Sequence, residues 1–121
     1  MSPRRPHKTK AEDRKRHASV FAALGDETRL ALLAKLCDGY QVSITQLALD
    51  SPISRQAITK HLQVLERAGI VHVVRAGRQS LFELRPKPLE QARDHLGVVS
   101  RQWNEALGRL RSFVERNTEE K

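Results

Sequence analysis

The chain has 121 residues, of which 39% are hydrophobic and 30% charged, so it suits one small globular core and not a two-domain enzyme with a cleft between halves. Lys and Arg number 22 against 14 Asp and Glu, and this net charge of +8 makes nucleic acid the first partner to test and an anionic membrane surface the second. The single cysteine, Cys37, excludes an intrachain disulfide and a multi-cysteine zinc site, and the 4% aromatic content argues against base stacking on single strands.

Two further classes of protein are disfavoured by what the sequence lacks. No apolar run is near the roughly 20 residues of a transmembrane helix, and no apolar segment follows the basic N-terminus as in a secretory signal. We therefore expect a soluble cytoplasmic protein with no membrane partner. The sequence also offers no nucleophile–base–acid set, glycine-rich phosphate loop or clustered metal ligands, so we do not expect an enzyme.

Residues 1–10 predict a flexible basic arm. Seven of the first 17 residues are basic and two are acidic, and Pro3 and Pro6 discourage regular structure there. Such an arm is either a solvated tail or a segment that contacts DNA phosphates.

Two helices follow the arm. The first is predicted over residues 11–24, with an apolar side that includes Phe21, and Gly25 ends it. Asp26 is the expected N-cap of the second helix, over residues 27–37. We expect that helix to be mostly buried, with Cys37 in the core; its apolar residues are Leu30, Ala31, Leu33, Ala34 and Leu36.

The next two helices are short and closely spaced. Ser43 and Gln46 have the spacing of a capping box, in which two side chains satisfy two backbone donors, and predict the start of a third helix. Ser54 is the expected cap of a fourth helix that ends near residue 68, before Gly69. Its predicted buried stripe is Ile58, Leu62 and Leu65.

The apolar period then changes from about 3.6 to 2, which predicts strands. Residues 70–75 and 78–85 form a hairpin around an Ala76-Gly77 turn, and Pro86 and Pro88 end it. A mainly α chain with a small β-hairpin in this order is a winged helix-turn-helix, and we assign that domain to residues 11–88.

The last helix is predicted over residues 89–117 and carries an unusually long apolar stripe. The stripe keeps alternating spacings of three and four over eight positions, Leu89, Ala92, Leu96, Val99, Trp103, Ala106, Leu110 and Phe113. We interpret residues 89–121 as a dimerisation segment of a homodimer, with Phe21 of the first helix joining the interface. The alternative is that the stripe packs on the chain's own first helix.

The polar side of the fourth helix predicts a DNA-reading surface. With the stripe turned inward, the exposed side carries amides and cations, which can make bidentate contacts to base edges. We expect base contacts from Arg55, Gln56, Thr59 and Lys60 and phosphate contacts from Ser54. At the hairpin tip, Arg75, Arg78 and Gln79 suit phosphates or a narrow minor groove.

Three stretches together resemble the ArsR/SmtB-type repressors, over about residues 18–85. They are residues 20–33 (VFAALGDETRLALL), residues 54–71 (SRQAITKHLQVLERAGIV) and residues 75–84 (RAGRQSLFEL). The resemblance implies a dimeric winged-helix protein that binds a palindromic operator and usually represses. It also implies that His61 joins the DNA-binding residues, although the helical wheel alone places His61 beside the buried stripe.

Many members of that family sense metals, and here the sequence departs from them. At the positions of their paired third-helix cysteines stand Ser43 and Thr45, which are poor ligands for soft metals. On the last helix, Asp94 and His95 are adjacent, about 100° apart, with no second histidine there. Residues 103–115 (WNEALGRLRSFVE) resemble a metal-free branch of the family. We therefore expect no metal site and no cofactor.

These features predict a sequence-specific DNA-binding transcriptional regulator, a repressor that binds a palindromic operator as a dimer. Its partners would be double-stranded DNA and a second copy of itself, and the sequence does not identify an effector. Two alternatives remain open: a metal-responsive repressor of the same family, and a winged-helix module used only for protein–protein contact.

Overall fold

The computed structural model describes residues 10–119 of the chain. Its elements follow one another as α1 Lys10–Leu24, α2 Glu27–Asp38, β1 Val42–Ser43, α3 Ile44–Ala48, α4 Arg55–Arg67, β2 Val71–Ala76, β3 Gln79–Leu84 and α5 Pro86–Glu119. The arm predicted for residues 1–10 lies outside the described residues except for Lys10, which begins α1 instead.

Polar caps set the starts of the three central helices, as predicted. The Asp26 carboxylate accepts the backbone N–H of Arg29 at 3.0 Å, and Ser54 Oγ accepts that of Ala57 at 3.2 Å. At α3 the capping box is complete, because Ser43 and Gln46 each bond the other's backbone. Each cap satisfies donors that have no acceptor within the helix, which determines where α2, α3 and α4 begin.

The hydrophobic core lies where α2, α3 and α4 meet the sheet. The predicted stripe of α4 is confirmed, because Ile58, Leu62 and Leu65 are almost completely buried. Leu36, Leu47 and Ile70 are buried with them. Burial of a large aliphatic side chain contributes roughly 1.5–3 kcal/mol, so this cluster fixes the orientation of α4 and leaves its other side to solvent.

The sheet has three antiparallel strands in the order β1-β3-β2, not the two-stranded hairpin predicted. Val42 and Ser43 pair with Phe82 and Leu81, and this two-residue strand is too short to show an alternating pattern in the sequence. The loop between β2 and β3 consists of Gly77 and Arg78, and Gly77 has a φ of 64°. Arg78 does not have a positive φ, and glycine with positive φ at only the first of two loop residues is the pattern of a type II′ hairpin turn.

The last helix begins at Pro86, three residues earlier than predicted. Proline is tolerated in the first turn of a helix because its missing N–H would have no acceptor there anyway. The 34 residues of α5 span about 50 Å at about 1.5 Å each. Its first part packs on α1, whereas residues 101–118 are exposed throughout. Within residues 10–119, the helices lack the combination of length and apolar content needed to cross a membrane.

The prediction that α2 is mostly buried was wrong on one side of the helix. Its buried residues are Leu32, Leu33 and Leu36, whereas Leu30 is 52% exposed and Cys37 is exposed. The pattern of leucines and alanines covers most of the helix circumference, and only one stripe of it faces the core. Cys37 therefore lies at the surface and not in the core as predicted.

Candidate nucleic-acid interface

The side of α4 opposite the buried stripe carries the residues predicted to contact DNA. Arg55, Gln56 and Lys60 are exposed, and Thr59 is half-buried with its hydroxyl donating to the carbonyl of Arg55 at 2.9 Å. The helix has no acidic residue before Glu66, which lies near its C-terminus. The structure thus gathers a guanidinium, an amide and an ammonium on one exposed surface, which we call the α4 surface.

The N-terminus of α4 adds a site suited to an anion. Ser54 is exposed, and its side chain caps the backbone N–H of Ala57. The remaining N–H groups of the first turn have no intrahelical acceptor, and the helix dipole places partial positive charge there. A phosphate beside Ser54 and Arg55 would be stabilised by both effects.

The tip of the hairpin carries a second cationic group. Arg75, Arg78 and Gln79 are exposed around the tight turn at Gly77. Because Arg75 pairs with Ser80 and Ala76 with Gln79, these side chains lie at one end of the sheet. From residue 51 to residue 85 the sequence has six basic and two acidic residues, so this segment is locally cationic.

The base of the hairpin is joined by a polar network that the sequence analysis did not identify. His72 Nε2 lies 2.6 Å from Glu83 Oε1, and Gln41 Nε2 donates to Glu83 Oε2 at 2.9 Å. His72 and Glu83 are opposite one another across β2 and β3, and Gln41 immediately precedes β1. The network therefore links all three strands. Only the strand register could have revealed it, since the three residues are far apart in sequence.

His61 occupies a position between the core and the α4 surface. Its ring is half-buried, with Nδ1 3.3 Å from Arg29 Nη1 and 3.8 Å from Asp26 Oδ2. The backbone N–H of Arg29 holds the pKa of the Asp26 carboxyl below its ordinary value, and the Arg29 guanidinium adds to this effect. His61 is thus tied to the start of α2, a contact that the helical wheel of α4 could not predict.

The residues predicted for the dimer interface fall into two groups. Leu96, Trp103, Leu110 and Phe113 are exposed, with Trp103 63% exposed, and Leu107 and Val114 extend the same apolar surface. Phe21 on α1 and Leu89 and Val99 on α5 are half-buried, and Phe21 and Leu89 pack against the hydrophobic core. The ring of His95 stacks on His17 with centroids 4.6 Å apart, and Phe21 lies 6.4 Å from His95.

The residues considered as metal ligands are dispersed. The Ser43 hydroxyl belongs to the capping box, and Thr45 is exposed. Asp94 is exposed on α5, and the neighbouring His95 turns toward α1. In the part of the chain that the structure describes, no three His, Cys, Asp or Glu side chains are grouped so that they could hold a metal ion.

A three-helix core, an exposed polar helix with a cationic N-terminus and a basic hairpin define a winged helix-turn-helix protein of the DNA-binding class. Residues 26–73 match the family "Bacterial regulatory protein, arsR family". The HTH-type transcriptional regulator Rv2034 of Mycobacterium tuberculosis is 38% identical over 88 residues, which cover 73% of this chain and 78% of that protein. The chain belongs to the ArsR family of DNA-binding transcriptional regulators.

Solved structures agree in fold. The ArsR-like transcriptional regulator from Rhodococcus sp. RHA1 superimposes with a TM-score of 0.72 at 35% identity, covering 83% of this chain and 93% of that chain. The winged helix-turn-helix DNA-binding domain Mb0332 from Mycobacterium bovis, described as homodimeric, gives a TM-score of 0.62 at 21% identity over 83% of this chain and 91% of that one. The predicted family and the winged helix-turn-helix fold are therefore confirmed.

Proposed function

We propose that this regulator binds a palindromic operator as a homodimer and represses transcription by blocking access of polymerase. The observation that carries the proposal is the α4 surface: the helix is anchored by a fully buried stripe on one side and is exposed, cationic and amide-rich on the other. An α-helix of this kind fits the major groove, where arginine, lysine and glutamine side chains distinguish base pairs.

In this proposal the contacts divide by chemistry. Arg55, Gln56, Thr59 and Lys60 read base edges, and His61 adds a contact from the same helix. Ser54 with the first turn of α4 holds one phosphate, and the hairpin residues Arg75, Arg78 and Gln79 hold the backbone beside it. Phosphate contacts fix the position of the protein on the duplex, and base contacts supply the sequence preference.

The homodimer is supported by the exposed apolar surface of α5. Six large apolar side chains between residues 96 and 114 are each more than half exposed: Leu96, Trp103, Leu107, Leu110, Phe113 and Val114. Such exposure is costly for a helix that remains unpaired. They follow a heptad pattern, which favours a second helix as the partner. We propose that residues 89–121 form the dimerisation segment, that residues 11–88 form the DNA-binding domain, and that Phe21 of α1 contributes to the interface.

A symmetric dimer would account for both the proposed palindromic operator and the proposed repression. Two α4 helices related by a twofold axis would enter successive major grooves about 34–36 Å apart, so the operator repeats the symmetry of the protein. Such a complex covers promoter DNA without needing any further surface. Because its proposed partner is DNA, we also propose that the protein acts in the cytoplasm.

Selection of bound duplexes from a random pool tests the proposal. We expect enriched sequences with dyad symmetry and half-sites about one helical turn apart. We also expect affinity to fall steeply with salt, because several phosphates are neutralised. Enriched sequences without symmetry would contradict the dimeric operator. If the protein showed no salt-dependent binding to duplex DNA, the alternative of a protein–protein interaction module would be favoured instead.

A further inference from the structure

Arg29 on α2 contacts His61 on α4, the helix that reads DNA in the proposed function, on which this inference rests. Arg29 is held in place by three contacts besides that to the ring. Its Nε donates to the carbonyl of Ala23 at 2.6 Å and its Nη2 to that of Ala22 at 3.3 Å, while its backbone N–H bonds Asp26. The guanidinium is therefore fixed against the end of α1, and its Nη1 is directed at His61 Nδ1 at 3.3 Å.

This geometry determines which ring nitrogen of His61 carries the proton. An arginine side chain has five N–H donors and no acceptor, so Nδ1 must be the acceptor of the bond from Nη1. A neutral imidazole then carries its hydrogen on Nε2. The competing partner of Nδ1 is Asp26 Oδ2, but at 3.8 Å it is beyond hydrogen-bonding distance.

The other end of the ring is available to a ligand. Within residues 10–119, Nε2 of His61 makes no hydrogen bond. It is also not one of the fully buried side-chain atoms without a partner, so solvent can reach it. We propose that Arg29 is a positioning residue that holds His61 in the Nε2–H tautomer, so that α4 presents a fixed hydrogen-bond donor to an acceptor on DNA. In the opposite tautomer, Nε2 would be an acceptor and would face base or phosphate oxygens without a proton to share.

Long-range ¹H–¹⁵N spectra of the free protein test the tautomer directly, at a pH where histidine is neutral. We expect Nδ1 of His61 to resonate as an unprotonated nitrogen and Nε2 as a protonated one. The variant Arg29→Met should give averaged shifts typical of mixed tautomers, whereas Arg16→Met, which removes an ion pair with Asp13 on α1, should leave the His61 signals unchanged. A protonated Nδ1 in the wild-type protein overturns the proposal.

Substitution of His61 itself tests the donor while the Arg29 side chain is kept. A glutamine amide can place an N–H close to the position of Nε2, whereas an asparagine amide reaches only as far as Nδ1. We expect His61→Gln to bind the selected operator within about threefold of wild type and His61→Asn to bind about tenfold more weakly, the loss of one hydrogen bond. Equal affinities of the two variants would overturn the role of Nε2.

A double-mutant cycle separates positioning from a merely structural role. Arg29→Met should weaken operator binding about twofold with His61 present, because about half of the rings would then hold the wrong tautomer, and should have no effect in the His61→Gln background, since an amide has no tautomer to fix. An equal loss in both backgrounds overturns the inference, while a wild-type protein that binds no duplex overturns the proposed function as well.

Operators carrying 7-deazapurines or methylphosphonates at single positions show whether the acceptor is a base or a phosphate, because only the correct replacement abolishes the difference between His61→Gln and His61→Asn.

Discussion

Arg55 and Lys60 are side chains whose contribution to stability is small and whose proposed contribution to binding is large. Both are exposed on α4 and have no acidic partner among the ion pairs of residues 10–119. We expect Arg55→Ala and Lys60→Ala each to weaken operator binding by about 1–3 kcal/mol without lowering the melting temperature appreciably. Fluorescence anisotropy with a labelled operator measures the first quantity and thermal unfolding the second.

The matched control for these variants is Arg93→Ala. Arg93 is also exposed, but it lies on α5 and its nearest carboxylate oxygen, on Asp94, is 3.9 Å away. The Arg93→Ala variant should bind the operator as the wild-type protein does. If Arg55→Ala and Lys60→Ala bound equally well, the α4 surface would not be the reading surface.

Asp26 makes the stability of the protein depend on pH in the acidic range. Its pKa is lowered in the folded state by the backbone N–H of Arg29 above all, so its ionised form is favoured by folding. The stabilisation is complete above the unfolded value of about 3.9 and is lost as the pH falls through the lower folded value. Denaturant titrations from neutral to acidic pH should therefore show a smaller loss of stability for Asp26→Asn, which keeps the cap but cannot ionise.

Asp94→Asn is the comparison for that measurement, because Asp94 is an exposed carboxylate on α5 with no backbone cap to lose. It should follow the wild-type acid profile closely. A constant offset between wild type and Asp26→Asn at every pH would show that the carboxylate charge has no part in the cap.

Among the elements, α3 depends most on its cap because it has only five residues. A helix this short has too few internal hydrogen bonds to offset the cost of nucleation. Ser43→Ala removes the acceptor for the Gln46 N–H, which lies 3.2 Å from Ser43 Oγ, and should reduce the free energy of unfolding by about 1–2 kcal/mol. Thr45→Ala, an exposed position on the same helix, should change stability much less, and equal effects in urea unfolding would contradict this role of the capping box.

Elements governed by local chemistry were predictable, and those governed by distant contacts were not. Ser43 and Ser54 predict helix starts because a capping hydrogen bond joins residues only three positions apart. The buried stripe on α4 follows from helical periodicity alone. Strand β1 exists only because Val42 pairs with Phe82, forty residues away, so nothing local indicates it. Pro86 was misinterpreted because proline both ends strands and begins helices.

The candidate site shows the same division. The exposed cations of α4 and of the hairpin tip follow from spacing and turn chemistry. The Arg29–His61 contact and the His72–Glu83–Gln41 network join residues separated by more than ten positions, and they depend on how α2 and the strands pack. Sequence periodicity carries no information on such pairs, so only the tertiary structure reveals them.

For the whole molecule, the proposed dimer depends on α5, where Trp103 lies in the middle of the exposed apolar surface. Truncation of a central interface tryptophan commonly costs about 2 kcal/mol or more, so Trp103→Ala should raise the dimer dissociation constant by about thirtyfold or more. Sedimentation equilibrium over a range of concentrations measures it. Glu105→Ala, two residues further along the helix and so about 200° around it, is the control and should leave the dissociation constant unchanged. A wild-type protein that is monomeric at every concentration would contradict the assembly.

The proposed dimer also fixes the distance between its two reading helices, and the operator can be used to measure it. An insertion of about five base pairs between the half-sites turns one of them to the opposite side of the duplex, about half a helical turn away. A dimer joined along rigid helices can then hold only one half-site, so the affinity should fall to that of an isolated half-site. The same insertion placed outside both half-sites keeps length and composition and should have no effect. Undiminished affinity after the internal insertion would mean that the two DNA-binding domains move independently, and α5 would then be a tether and not a rigid interface.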